Sequence, residues 1–215
     1  MRVPKIIHHI WLGSTPTEEV RYFIEGWKKL YPDFMFFLWD ENMVINSGIL
    51  DDMPKEYFFG NYNYAFKSDL LRFTILKKMG GIYLDTDFEA LRRLEPAYLC
   101  NEFLAAYQPN GEIAVGFMAA SPHNGFITHA HKSLLQSVEK QFEIGWPPTN
   151  QPGMCGPEWF TKMYGQPHPG CSTYLFTAEQ FYPYSWLEKA RRRENFKTTC
   201  PAAYAVHHWH GSWCK

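Results

Sequence analysis

Residues 64–88 read YAFKSDLLRFTILKKMGGIYLDTDF. Residues 64–79 read as a strong helix. Gly80-Gly81 supplies the left-handed backbone that ends such a helix. Ile82-Tyr83-Leu84 then reads as a short strand, and Asp85-Thr86-Asp87 falls at its carboxyl end. In open α/β sheets ligands bind beyond the carboxyl ends of the strands, so this is where a site is expected.

The pattern extends upstream. Residues 5–11, KIIHHIW, predict a buried strand. Thr15 is a good N-cap, Pro16 suits the first helical position and Glu18 completes a capping box. Val20, Phe23, Ile24, Trp27 and Leu30 follow at helical spacing until Pro32. Residues 34–39, FMFFLW, form an apolar run of the kind expected of a strand covered on both faces. Strand, helix, strand is a βαβ unit and implies a parallel sheet. Residues 40–63 read as loops with a short helix at 51–59.

Downstream, 102–107, 113–120, 173–177 and 202–207 read as strands. Residues 125–142 read as a helix, 158–164 as a helical turn, and the Gly- and Pro-rich 145–157 as a long loop. The fold class is α/β. Residues 1–215 are read as one domain, with the second half supplying insertions around the sheet.

Composition bounds the function. The chain has 215 residues, 46% apolar and 20% charged, which is ordinary for a globular protein. A net charge of −1 gives no basic field for a nucleic-acid backbone. Aromatics reach 18%, a hint of rings used for stacking. Five cysteines without a C-x-x-C pair argue against a disulfide framework and a zinc site. No stretch approaches ~18 consecutive apolar residues, so no transmembrane segment is expected. The location expected is cytoplasmic. The run Arg191-Arg192-Arg193 reads as a solvated helix end, with membrane-surface contact beside Trp186 as the minor alternative.

Several residue sets can carry chemistry. Asp85 and Asp87 flank a single residue, and two such carboxylates are tolerated in solvent or around a hard cation. Asp69 and Arg72 share a helix face, either as a surface ion pair or aimed together at a ligand. Trp11 at the end of the first strand is a core ring or a stacking platform. The tail, Tyr204 to Trp213, holds His207, His208 and His210. It reads either as an aromatic plug or as the source of an imidazole for an ion such as Mn²⁺.

Five segments in order, IIHHIWLG (6–13), the 64–88 block, GFMAASPHN (116–124), CGPEWFT (155–161) and HHWHGSW (207–213), together resemble the glycosyltransferases with a D-x-D sugar-binding region. That group includes fungal initiating α-1,6-mannosyltransferases, α-1,4-galactosyltransferases and bacterial capsular transferases. The 64–88 block is also similar to the glucosylating domain of large clostridial toxins. The resemblance implies a GT-A fold, a Rossmann-like mixed sheet flanked by helices, with Mn²⁺ or Mg²⁺ at the D-x-D. It also implies a nucleotide-sugar donor and retention of anomeric configuration. It further implies a nucleotide-binding half (1–100) and an acceptor-side half (101–215) with a C-terminal lid. By position, Trp11 matches the ring that stacks on the base. Asp69 and Arg72 match contacts to the donor's ribose and sugar, and Tyr83 a residue beside the nucleotide. Asp85 matches the carboxylate that reaches ribose and a metal-bound water, and Asp87 the direct ligand. Ser212 and Trp213 match a loop over the diphosphate. His208, in an H-x-x-G ending with Gly211, matches a third metal ligand, with His207 and His210 as rivals. Cys155 stands where the family usually has Thr.

The resulting expectation is a retaining, metal-dependent hexosyltransferase. It takes a nucleoside diphosphate sugar, UDP- ahead of GDP-, and a glycan acceptor, in surface polysaccharide assembly. A lectin-like module with a structural cation and another metal-dependent nucleotide transferase are the rivals.

Overall fold

The computed structural model describes residues 2–143 and 155–211. Strand β1 (Ile6–Ile10) leads to helix α1 (Glu18–Leu30), strand β2 (Met35–Trp39) and helix α2 (Glu41–Asn46). A 3-10 turn at Ile49–Asp52 and a short helix α3 (Glu56–Phe59) precede the long helix α4 (Tyr64–Met79). Strands β3 (Gly81–Leu84), β4 (Phe88–Ala90), β5 (Phe103–Tyr107) and β6 (Ile113–Ala120) follow. Then come helices α5 (Gly125–Glu143) and α6 (Pro157–Tyr164), strand β7 (Thr173–Phe176) and helix α7 (Ala178–Phe181). A 3-10 segment (Trp186–Arg193), helix α8 (Phe196–Thr199) and strand β8 (Ala205–His207) complete the chain.

The main sheet has six strands in the order β2-β1-β3-β6-β5-β7. Strand β6 runs antiparallel to both its neighbours, and the remaining pairs are parallel. Both halves of the chain contribute strands to this one sheet. Strands β4 and β8 form a separate two-stranded ladder, with Phe88 opposite His207. The mixed sheet flanked by helices is of the GT-A type.

Helix α4 is buried almost all round, which explains its weak amphipathicity. Phe66, Phe73, Phe103, Phe126 and Phe160 form the core on that face of the sheet. Trp27, Tyr31, Phe88, Phe117, Phe176 and Phe181 pack the other face. Along β3, Ile82 and Leu84 point to the second core and Tyr83 to the first, as strand alternation requires. In β6 the alternation slips by one residue at Gly116. Ile113 and Val115 share a core with Met118 and Ala120. A register shift in the β5–β6 ladder lies in the same region, and such irregularities re-aim neighbouring side chains.

Several local expectations change. Helix α1 is capped by Thr17, whose side chain accepts from the Val20 amide, and starts at Glu18 rather than Pro16. Two helices and a 3-10 turn occupy the stretch read as loops, with Asp40 capping α2. Strand β2 is an edge strand with exposed Met35, not one covered on both faces. An apolar run carries no information about its place in the sheet. The 202–207 strand and the helix ending at Arg191–Arg193 were read from the sequence, but β4, its pairing with β8 and the helices α7 and α8 were not, because three- and four-residue elements lack a readable period. Most of the Gly- and Pro-rich loop lies outside the described residues. No described helix is long and apolar enough to cross a membrane.

Candidate functional site

The helix–Gly-Gly–strand segment builds one wall of the site. Gly80 (φ 64°) and Gly81 (φ 97°) turn the chain from α4 into β3. A Cβ on Gly80 would lie 2.6 Å from the Pro122 nitrogen, so the turn leaves no room for a side chain. Beyond β3, the Asp85 amide donates to the Gly116 carbonyl at 2.9 Å.

Asp69 and Arg72 are both buried. An exposed ion pair is therefore excluded, and Arg72 bridges Asp69 to Asp85. The guanidinium lies 2.9 Å from Asp69 and 3.4 Å from Asp85, and donates to the Val115 carbonyl at 3.0 Å. It also stacks 4.9 Å above the Tyr83 ring. Burial raises the Asp69 pKa, and the Arg72 charge opposes that rise. The Cys155 thiol donates to Asp69 at 3.0 Å. Cys155 thus joins the hydrogen-bond network from the position where the family usually has Thr. Tyr83 is buried and donates to Asp85 Oδ1 at 2.6 Å. It orients the first D-x-D carboxylate and does not line the adjoining clefts.

Asp87 is buried beside the C-terminal segment. Its Oδ2 accepts from the His210 amide at 2.9 Å, and its carbonyl accepts from the His208 amide at 3.0 Å. Its Oδ1 lies 3.0 Å from His207 Nε2, which is also 3.8 Å from Asp85 Oδ2. Burial alone would raise the Asp87 pKa, but His207 holds it well below the carboxylate range. Burial likewise lowers the His207 pKa, and Asp87 more than reverses this.

The side chain at the aspartates is therefore His207, not His208. His208 turns to the other side of β8, with Nε2 3.0 Å from Glu89 and Nδ1 3.3 Å from the Tyr184 hydroxyl. Its ring stacks on Phe23 at 5.0 Å. Strand alternation decides between the two histidines. Val206 belongs to the cluster with Tyr184 and Phe196, so His207 must face the opposite way. That parity was available once 205–207 was placed in a strand, but the H-x-x-G spacing pointed one residue further on. His210 packs over the cleft and does not join the carboxylate pair.

Asp85, Asp87 and His207 each bring one ligand atom within 4.8 Å of the others. Two carboxylates and an imidazole form a donor set suited to Mn²⁺, and the oxygens also suit Mg²⁺. Gly116 is needed for this approach, since a Cβ there would sit 2.7 Å from Asp85 Oδ2.

Trp11 follows β1, and its amide donates to the Trp39 carbonyl at 3.0 Å. Its half-buried ring lies between two clefts. One, of about 170 Å³, is lined by Thr86, Asp87, Glu19, Arg192 and His210. The other, of about 540 Å³, is lined by Gly13, Pro16, Leu38, Asp40, Glu41 and Tyr64. The indole Nε1 is buried without a partner among the described residues. The Trp11 ring therefore lines both clefts rather than plugging the core. Ser212 and Trp213 lie outside the described residues. Sequence reasoning gave no site role to Glu19 and Arg192, which no motif marks, or to Gly116, although it opens the segment 116–124.

A GT-A-type fold with a D-x-D at the carboxyl end of a central strand defines the class. Residues 17–108, somewhat under half of the chain, match the family described as "Glycosyltransferase sugar-binding region containing DXD motif". It is 30% identical over 174 residues to a mannosyl phosphorylinositol ceramide synthase of Saccharomyces cerevisiae, covering 76% of this chain and 42% of that protein. The chain thus spans about two fifths of the length of that relative. An uncharacterized glycosyltransferase of Acanthamoeba polyphaga mimivirus is 25% identical over 220 residues, covering 98% of this chain and 84% of that one. Among solved structures, a glycosyltransferase involved in glycosylation of the major capsid of PBCV-1 shares the fold. Its TM-score is 0.51 at 13% identity, over 98% of this chain and 97% of that one.

Proposed function

We propose that this chain transfers a hexosyl unit from a nucleoside diphosphate sugar to an acceptor hydroxyl, with a divalent cation held by Asp85, Asp87 and His207. The observation that carries the reading is the convergence of those three side chains beside a cleft walled by Trp11. A divalent cation held there would supply the positive charge that offsets charge on a departing diphosphate. Trp11 stacks on the base. Asp85 is held in place by Tyr83 and Arg72, and Asp69 balances the Arg72 charge. Asp87 is fixed by the His210 amide.

Among the described residues at the aspartates, no group is set up as a general base. Arg72 stays charged, and Tyr83 already donates to Asp85. This agrees with a retaining reaction in which the leaving phosphate accepts the acceptor's proton. The donor is a UDP-sugar ahead of a GDP-sugar, and the acceptor a hydroxyl of a surface glycan or glycolipid. The names of the relatives include mannosyl transfer and, for a human protein 26% identical, N-acetylglucosaminyl transfer. Both sugars belong in the donor panel.

The test is slow hydrolysis of UDP- and GDP-sugars with Mn²⁺, followed by transfer to glycan acceptors. The expected result is nucleotide release that disappears with chelator and in Asp87→Asn. Full metal-dependent turnover in Asp87→Asn would overturn the site.

A further inference from the structure

The described walls of the 170 Å³ cleft hold Asp87 and Glu19, with Asp85 close by, and a single permanent cation, Arg192. Its guanidinium ion-pairs with Glu19 at 2.7 Å and contacts His210 Nε2. Glu19 belongs to the first turn of α1, while Arg192 belongs to the 3-10 segment, 173 residues away in sequence. The sequence alone marks Arg192 only as one of three basic residues at a solvated helix end.

We propose that Arg192 binds the diphosphate of the donor, leaving Glu19 to do so. The inference rests on the donor-site reading above and assigns its second cationic contact. Three observations support it. First, Arg72, the arginine singled out by motif, is already committed to Asp69, Asp85 and the Val115 carbonyl. It cannot turn to a phosphate without withdrawing the balancing charge from buried Asp69. Second, the partner of Arg192 is exchangeable. The ion pair is exposed on both sides, at 38% and 50%, and such pairs are weak. A diphosphate carries more charge and offers paired oxygens that match the guanidinium fork. Third, the segment is anchored independently. Arg191 binds Glu194 at 2.9 Å and the Pro183 carbonyl at 3.0 Å, so Arg192 is held at the cleft without needing Glu19.

The experiment is calorimetric titration of the full chain in Mn²⁺ with UDP, UMP, GDP and GMP, on wild type, Arg192→Gln, Arg192→Lys, Glu19→Gln and the Glu19→Gln/Arg192→Gln double variant. Arg192→Gln is expected to weaken the preferred diphosphate by about tenfold or more while leaving its monophosphate nearly unchanged. Arg192→Lys recovers part of the loss. Glu19→Gln tightens the diphosphate in the wild-type background and has no effect in the Arg192→Gln background. An unchanged diphosphate-to-monophosphate ratio in Arg192→Gln, with the thermal melt intact, overturns the proposal. Equal loss of both nucleotides also overturns it, since that is what a merely structural latch on His210 would produce. A wild-type chain that binds no nucleoside diphosphate in Mn²⁺ overturns the donor-site reading itself, and this inference with it.

Discussion

At the residue scale, adjacent histidines take opposite parts because His207 ends strand β8 facing the aspartates while His208, just beyond it, faces Glu89 and Tyr184. His207→Ala removes the imidazole beside Asp85 and Asp87 and is expected to cost Mn²⁺ affinity and turnover with little loss of stability. His208→Ala empties a space between Phe23, Tyr184 and Glu89. It is expected to lower stability by about 2 kcal/mol and to leave the metal requirement intact. Mn²⁺ titration paired with denaturant unfolding separates the two, and the reverse pattern would restore His208 to the ion. Asp87→Asn relieves repulsion between the two carboxylates, but it is expected to lower stability, because Asp87 accepts from His207 and the His210 amide. Losing the charge weakens both contacts.

Trp11→Ala is expected to weaken nucleotide binding by ~1–3 kcal/mol, the range for stacking on a base. Unchanged affinity for UDP and GDP in a folded variant would remove the ring from the site. Gly116→Ala tests the geometry from the other side of the sheet. Its new methyl meets Asp85 Oδ2 and the buried Tyr182 hydroxyl, at 2.7 and 3.1 Å. Mn²⁺ affinity should fall about tenfold, as when a group supporting a ligand is lost. Affinity equal to wild type would show that Asp85 does not hold the ion from this position.

At the element scale, the turn between α4 and β3 sets the direction of the D-x-D. Gly80 has φ 64° and ψ −157°, a region open in practice only to glycine. Gly80→Ala is expected to destabilise by about 2 kcal/mol or more, through backbone strain and the clash with Pro122 and Ala120. Urea denaturation measures this, and a loss below about 0.5 kcal/mol would mean the turn relaxes easily. This element was legible in advance. A sixteen-residue helix followed by two glycines has a long period and an unambiguous stop. The β4–β8 ladder was not legible, because three residues per strand make no pattern. Its pairing depends on contacts more than a hundred residues apart, such as Glu89 with Val206. The tie from Trp27 Nε1 to the Phe88 carbonyl, 2.9 Å long, is of the same kind.

At the scale of the whole molecule, buried histidines make stability depend on pH. His8 donates to the Gly80 carbonyl and accepts from Trp39 Nε1, which fixes it neutral. Burial lowers His8, His9 and His131 from 6.5 to about 4. Between those values the unfolded chain binds protons that the folded chain refuses, so stability falls as pH drops from 6.5 towards 4. Each group contributes about 3 kcal/mol across that window. Asp69 and His207, both raised, act in the opposite direction. Unfolding free energy measured from pH 7 to 4.5 should decline, and His131→Gln should flatten the decline. A flat profile in the wild-type chain would refute the assignment.

The sequence by itself determined the α/β class, the βαβ opening, the helix–Gly-Gly–strand wall and the two aspartates at its end. Each of these is local, written in helical periods, glycine stops and the order of neighbouring elements. It also marked Trp11, Asp69 and Arg72, which lie within a helix or at a strand end that periodicity could place. Only the tertiary structure decided which histidine meets the aspartates, that Arg72 is saturated, and that Glu19 and Arg192 share a cleft. Those facts depend on strand parity, on burial and on side chains that approach from distant elements. No spacing along the chain encodes them, because a contact between remote segments exists only once the sheet has brought them together.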